Sequence, residues 1–260
     1  MQLDDTVALI TGASDGIGQS VAIRFAAQGA RVLVHGRDPD RTEAVARSVN
    51  GTALVADLET PEGRHDLITL ITEARRHFGK IDVLVNNAGI GWSGPFTRMT
   101  VDEIRRVIEV DLLAAVELTH AVLPGMLDRS RGAICFVSSV AGRTGVAGEA
   151  VYAATKAGMD AFAESLRLEA AGTGVHVGVV VPGVVDTGFF EKRGRLNERA
   201  RPKPVPPEAV ASAVLDAVTG RAEVWIPRWL RLASTIRALT PFAYRRLATR
   251  FGEPIRLGRP

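Results

Sequence analysis

Seven short apolar runs set the tightest limit on what this chain can fold into: Thr6–Thr11, Arg31–His35, Thr52–Ala56, Ile81–Val85, Ala133–Ser138, Val175–Val181 and Glu223–Ile226. Most lack polar alternation, as strands covered on both faces do. Between them, helical periodicity falls near residues 16–28, 39–49, 61–78, 100–129, 150–171 and 207–219. Strand–helix alternation of this kind buries both faces of a parallel sheet, and right-handed crossovers make that sheet open and doubly wound. The expected architecture is a single α/β domain over residues 1–227, with about seven parallel strands and helices on both faces.

Composition agrees with one globular domain. The chain has 260 residues, 46% hydrophobic and 23% charged, which places it well away from disorder. The single cysteine, Cys135, excludes an internal disulfide and a CxxC metal site. It lies in the apolar run Ala133–Val137 and reads as a buried thiol in a reduced compartment. The histidines (His35, His65, His77, His120, His176) are scattered without ligand spacing, so no metal is expected. The chain opens Met1-Gln2-Leu3-Asp4-Asp5, with acids where a secretory signal needs cations, and no apolar run reaches membrane-spanning length. A cytoplasmic location follows as the expectation.

Two stretches depart from the strand–helix rhythm. Gly188–Pro207 combines turn residues with the basic Lys192, Arg193, Arg195, Arg199, Arg201 and Lys203, and reads as a lid or binding loop. The other is a helical extension over 228–260. The last 40 residues hold nine arginines against two glutamates, a net +7, so the first 220 carry −4 of the overall +3. Trp229, Leu232, Ala233 and Ile236 share one helical face, as do Tyr244, Leu247, Ala248 and Phe251, with Pro241 between the two pieces. Arg245, Arg246 and Arg250 lie off the second apolar face. Docking on the acidic body or on a partner subunit is the preferred reading, ahead of an anionic membrane surface. Specific nucleic-acid binding is not expected.

The first strand runs into Thr11-Gly12-Ala13-Ser14-Asp15-Gly16-Ile17-Gly18 and then into a helix. Glycines let backbone N–H groups approach a pyrophosphate, and the helix turns its positive end toward it. The spacing, Gly-x3-Gly-x-Gly, differs from the common G-x-G-x-x-G, but its place after the first strand and before a helix favours a Rossmann-type dinucleotide site over an ordinary strand–helix turn. Farther along, Tyr152-Ala153-Ala154-Thr155-Lys156 sets a phenol and an ammonium four residues apart, on one helix face. A cation beside a phenol favours the phenolate and lowers its pKa, which is the tuning a general acid/base needs.

Together these motifs resemble the short-chain dehydrogenase/reductases, in their branch of roughly 250 residues. Thr11–Gly18, Asn86-Asn87-Ala88-Gly89, Ser139, Tyr152 with Lys156, and Pro182-Gly183 with Thr187 follow in that family's order over about residues 5–227. The resemblance implies that Tyr152 is the proton donor and acceptor, that Lys156 also binds the nicotinamide ribose, and that Ser139 holds the substrate oxygen. Ser138 then reads as a structural neighbour. The resemblance also implies cofactor contacts from Gly12, Ser14, Asp15, Gly16, Ile17 and Gly18. It puts Asp57 and Leu58 at the adenine, Asn86 beside the adenine ribose with Ala88 and Gly89, and Pro182, Gly183, Val185 and Thr187 near the nicotinamide. One position departs from the pattern: Asp111 stands where the family commonly has a proton-relay Asn. If a backbone carbonyl carries the relay, Asp serves; if the side-chain amide must donate, the relay is weakened.

Strand two ends Val34-His35-Gly36-Arg37-Asp38. In the family register Gly36 replaces the acid that binds the ribose hydroxyls of NAD, and Arg37 suits a 2′-phosphate. Asp38 competes as the ribose acid, but its place before Pro39 reads better as a helix cap. NADP(H) is therefore the expected cofactor. Substrate contacts are expected from Gly91–Phe96 with Trp92 and Phe96, from Val140–Ala150, and from the loop carrying Phe189 and Phe190. Their apolar character suggests a hydrophobic ketone or alcohol, steroid-like or 3-oxoacyl in type. The lid cations alternatively suit an acidic carrier or acyl-CoA. The family resemblance further implies a homodimer or homotetramer. A non-catalytic NADP-binding sensor that keeps the fold is the alternative from another class.

Overall fold

A computed structural model describes residues 2–189, 193 and 203–248, without the side chains of 75–78 and 247–248. Most of the expected lid, including Phe190, Lys192, Arg195, Arg199 and Arg201, lies outside the described residues, as do 249–260. The seven strands are β1 (Val7–Ile10), β2 (Arg31–Gly36), β3 (Thr52–Val55), β4 (Val83–Asn86), β5 (Gly132–Val137), β6 (Val175–Pro182) and β7 (Glu223–Ile226). They form one sheet in the order β3-β2-β1-β4-β5-β6-β7, and every pairing is parallel.

Crossover helices cover both faces: α1 (Gly16–Ala26), α2 (Pro39–Ser48), α3 (Pro61–Phe78), α4 (Val101–Ile108), α5 (Ala114–Leu127), a short α6 (Val140–Thr144), α7 (Ala150–Glu169) and α8 (Pro207–Val218). Alternate residues of each strand feed opposite layers. In β1, Val7 and Leu9 pack with Leu67 and Ile71 of α3, Leu118 of α5 and Met159 of α7. Ala8 and Ile10 pack with Val21 and Phe25 of α1, Val45 of α2 and Val214 of α8. Cys135 is fully buried in the second layer, and burial pushes its thiol up.

The helix expected over 100–129 is divided. Between α4 and α5 lies a π-helical turn, Glu109–Leu113, in which Val110 and Asp111 are both buried. The continuous stretch Val101–Leu127 is long and apolar enough to cross a membrane, but it is a covering helix of this sheet, with Leu118, Val122 and Met126 in the core. Two of its acids are held by Arg64 of α3, a buried cation that pairs with Glu109 at 2.5 Å and Glu117 at 2.8 Å. Arg64 also donates to the Leu58 carbonyl at 3.0 Å.

Two further helices, α9 (Leu230–Leu239) and α10 (Pro241–Ala248), follow β7. They rest on α6: Arg237 donates to the Arg143 carbonyl, and the Tyr244 hydroxyl to the Thr144 carbonyl at 3.4 Å. Of the two expected docking partners for the apolar stripes, the body or a partner subunit, the body receives Tyr244 of the second piece but not the larger residues of the first. Leu230 is buried, whereas Trp229, Leu232 and Ile236 are 56%, 61% and 42% exposed. The inward face is made by Leu230 and by the polar contacts of Arg237 and Tyr244 with the Arg143 and Thr144 carbonyls.

Candidate active site

The sheet order reverses between β1 and β4, and the crevice past their carboxyl ends is where such sheets bind ligands. The Gly12–Gly18 loop closes one side of it. Thr11 ties the two strand ends together: its hydroxyl accepts from the Asn87 and Ala88 backbone N–H groups, each at 3.0 Å. The Asn87 amide donates to the Thr11 and Gly12 carbonyls at 2.9 and 3.0 Å. Gly12 has φ +61°, and a Cβ there would lie 2.8 Å from Ala88 Cα, so only glycine lets the loop approach this closely. Gly18 lies beneath the loop, where a Cβ would meet the Gly12 carbonyl oxygen at 2.3 Å.

His35 supports the same loop from β2. Its Nδ1 accepts from Gly12 N–H at 3.3 Å, which leaves Nε2 to donate to the Ala56 carbonyl at 3.2 Å. Burial lowers its pKa to about 4, so the ring is neutral at physiological pH. Sequence reading missed this role, because a lone histidine in an apolar strand carries no local signal of its partners.

One cavity of about 640 Å³ runs from this loop to the ends of β5 and α7. Gly12, Ser14, Asp15, Gly16, Ile17, Arg37, Asp57, Leu58, Ala88, Gly89, Ser139, Tyr152, Lys156, Pro182, Gly183, Val185 and Thr187 all line it. Three expected site residues do not. Gly18 is beneath the loop, as above. Asn86 is buried behind the strand end, where its amide donates to Thr119 Oγ1 at 3.2 Å, and Asn87 takes its place on the cavity wall. A one-residue step along a strand turns the side chain to the other face. Asp111 lies behind Lys156, fully buried.

At the outer end of the cavity, Gly36 leaves no room for an acid, since a Cβ would lie 2.3 Å from Thr42 Oγ1. Arg37 pairs with Glu59 at 2.6 Å, and Glu59 is also held by Arg106 at 2.9 Å. Arg41 lines the wall beside it and pairs with Asp38 at 2.9 Å. Asp38 caps α2 by accepting from the Arg41 N–H at 3.0 Å and is not a cavity residue, as its position before Pro39 implied.

The catalytic end is compact. Ser139 caps α6, accepting from the Ala141 N–H at 3.2 Å. Lys156 is 3% exposed; its Nζ donates to the Val137 carbonyl at 3.3 Å and lies 3.7 Å from Asp111 Oδ2. Asp111 Oδ1 accepts from the Ile90 N–H at 2.7 Å, while Oδ2 has no hydrogen-bond partner. Burial raises the Asp111 pKa to about 6, against the pull of Lys156. Tyr152 is pushed up, first by burial and then by the Asp111 charge; a hydrogen bond to Ser139 opposes this. The phenol is therefore held protonated at neutral pH. This corrects the expectation that Lys156 lowers the Tyr152 pKa: burial and the Asp111 charge push it up instead, and Lys156 lies against that carboxylate, where an amide is common in the family.

Apolar walls come from Ile90, Val140, Ala141, Val146, Ala147 and Phe189. The Phe189 ring sits 5.7 Å from Tyr152, and Arg193 pairs with Glu149 at 2.9 Å beside it. Trp92 and Phe96, expected here, are absent from the wall. The Trp92 indole instead donates to Glu103 at 3.0 Å, within the capping box that starts α4, and Phe96 is 51% exposed.

A glycine loop at the sheet's switch point, facing a serine, a tyrosine and a lysine across one cavity, defines a class: oxidoreductases that act on CH–OH groups. Residues 6–197 match the short chain dehydrogenase family model, and the chain belongs to that family. The ketoacyl reductase HetN of Nostoc sp. is 35% identical over 216 residues, covering 82% of this chain and 75% of that protein. The 3-oxoacyl-[acyl-carrier-protein] reductase FabG of Escherichia coli is 36% identical over 189 residues, covering 72% of this chain and 76% of its own. A solved short-chain dehydrogenase from Sphingobium yanoikuyae in complex with NADPH superposes with a TM-score of 0.80 at 28% identity, covering 98% of both chains. A metagenomic short-chain oxidoreductase in complex with NADP gives 0.73 at 32% identity, covering 86% of this chain and 97% of that one.

Proposed function

We propose that the chain is an NADP(H)-dependent reductase that interconverts a carbonyl and a secondary alcohol on a hydrophobic substrate, ketone or 3-oxoacyl in type. The observation that carries this is the convergence of Ser139, Tyr152 and Lys156 on one apolar-walled cavity that continues to the glycine loop. The loop fits a pyrophosphate: its glycines keep the Gly12–Ala88 gap clear of a side chain. The nicotinamide supplies or accepts the hydride when bound. Arg37 and Arg41, with Gly36 in place of an acid, favour the phosphorylated dinucleotide, because a guanidinium fork that holds a carboxylate suits a phosphate equally. The NADPH- and NADP-bound relatives support the same choice.

In the reductive direction the Ser139 hydroxyl donates a hydrogen bond to the substrate oxygen, where negative charge grows. Tyr152, protonated at neutral pH, delivers its proton to that oxygen. Lys156 stabilises the phenolate left behind, and Asp111 in turn holds Lys156. The Phe189 ring and Val140 and Ala141 of α6 give the reacting end an apolar wall. NADPH oxidation with a panel of apolar ketones tests the reading. Turnover should fall at least about a thousandfold in Tyr152→Phe, with NADPH binding retained. A wild type that binds NADPH but turns over no ketone would favour the sensor, for which the Asp111–Lys156 pair is the one supporting observation.

A further inference from the structure

We propose that the outward face of α9 and α10 docks on an anionic lipid surface. Trp229, Leu232, Ile236 and Leu239 recur at the spacing of one helix face, and Phe242 continues that run past the Pro241 break. Leu239 and Phe242 are 77% and 81% exposed, and Trp229 and Leu232 are more than half exposed. A contiguous set of large apolar side chains in water marks an interaction surface. The opposite face of α9 is already used, by Leu230 and by Arg237 on the Arg143 carbonyl, so the stripe cannot turn inward.

Charge selects the occupant. Arg228, Arg231 and Arg245 flank the stripe, are exposed, and pair with no carboxylate among the described residues. An apolar stripe edged with unpaired arginines matches a bilayer surface that offers acyl chains and anionic headgroups together. A second copy of this chain is the competing occupant. A two-fold contact through this face would bring the arginines of one copy beside those of the other, which repels. The helices that carry the stripe rest, by their inward side, on α6, whose Val140 and Ala141 line the cavity.

The test is co-sedimentation of the full chain with vesicles of phosphatidylcholine alone or mixed with phosphatidylglycerol. The wild type should pellet with the anionic vesicles and not with the neutral ones, and release as salt rises from about 0.1 M to about 0.5 M. The double variant Leu232→Glu/Leu239→Glu should lose at least about tenfold in vesicle affinity, with unchanged NADPH turnover of a water-soluble ketone and unchanged particle mass. Arg228→Gln/Arg231→Gln should weaken binding by at least about tenfold on its own, which keeps the test intact if the first variant folds poorly. Wild type left in the supernatant with both vesicles overturns the proposal, as do variants that pellet like wild type. A particle mass that drops in the variants, with no vesicle binding by the wild type, assigns the face to contact between copies and overturns it too.

Discussion

Asp111 is a carboxylate placed with no exposure against a lysine, and its second oxygen has no hydrogen-bond partner. Its pKa is raised to about 6, so the folded protein keeps a proton that the unfolded chain loses near pH 4. This contribution to stability is full at low pH and is lost as pH rises through about 6. The same charge, once formed, opposes ionisation of Tyr152. Asp111→Asn should therefore erase an inflection near pH 6 in the profile of kcat/KM for alcohol oxidation and move the Tyr152 limb to lower pH. Activity at neutral pH should be kept or raised, and a loss beyond about tenfold, or 1.4 kcal/mol of barrier, contradicts this. At the outer end, Arg37→Ala should lower the NADP-to-NAD ratio of kcat/KM by at least about tenfold; an unchanged ratio rejects the cofactor assignment. Tyr152 and Lys156 were legible because their spacing on a helix sets them on one face, and Ser139 through the family resemblance. His35, Arg41 and Asn87 were not, because their roles come from partners far away along the chain, such as Gly12 with His35.

One helix start was legible as an element, Asp38 before Pro39 capping α2, whereas the capping box of Thr100 with Glu103 at α4 emerged only from the structure. The π turn between α4 and α5 was not, because apolar periodicity passes through it unbroken. It matters, since it carries Asp111. The short α6 also escaped sequence reading, lying between Ser139 and the positive-φ Gly145 with too few residues for a period. Arg64 is the cross-link that no pattern announces, reaching Glu109 and Glu117 from another helix. Arg64→Met leaves two acids facing each other and the Leu58 carbonyl without its donor. It should cost roughly 3 kcal/mol, read as a lower urea midpoint at unchanged slope. A midpoint shift equivalent to less than about 1 kcal/mol would mean the cluster is solvated.

At the scale of the molecule, the cofactor cavity joins β1, β2, β4, β5 and β6 through loops from separate parts of the chain. Ligand bound there should stabilise the whole sheet by mass action. NADPH at about a hundred times its Kd should add roughly 2.7 kcal/mol, or about 5–10 °C in Tm. NADH at the same concentration should add less; an equal shift would speak against selection for the 2′-phosphate. The opposite charges of body and extension were plain in the residue order, yet which way the extension faces was not. In the sequence, apolar periodicity pointed to a parallel sheet and gave its strands in chain order, and the glycine pattern and the i, i+4 spacing placed the loop and the Tyr152–Lys156 pair. Tertiary structure alone decided that Asp111 meets Lys156, that Asn87 and not Asn86 lines the cavity, and that the Trp229–Leu239 stripe stays outside. The physical reason is range. Periodicity reports what a segment must bury locally, whereas pKa, wall position and orientation depend on which distant groups the packed sheet brings against it.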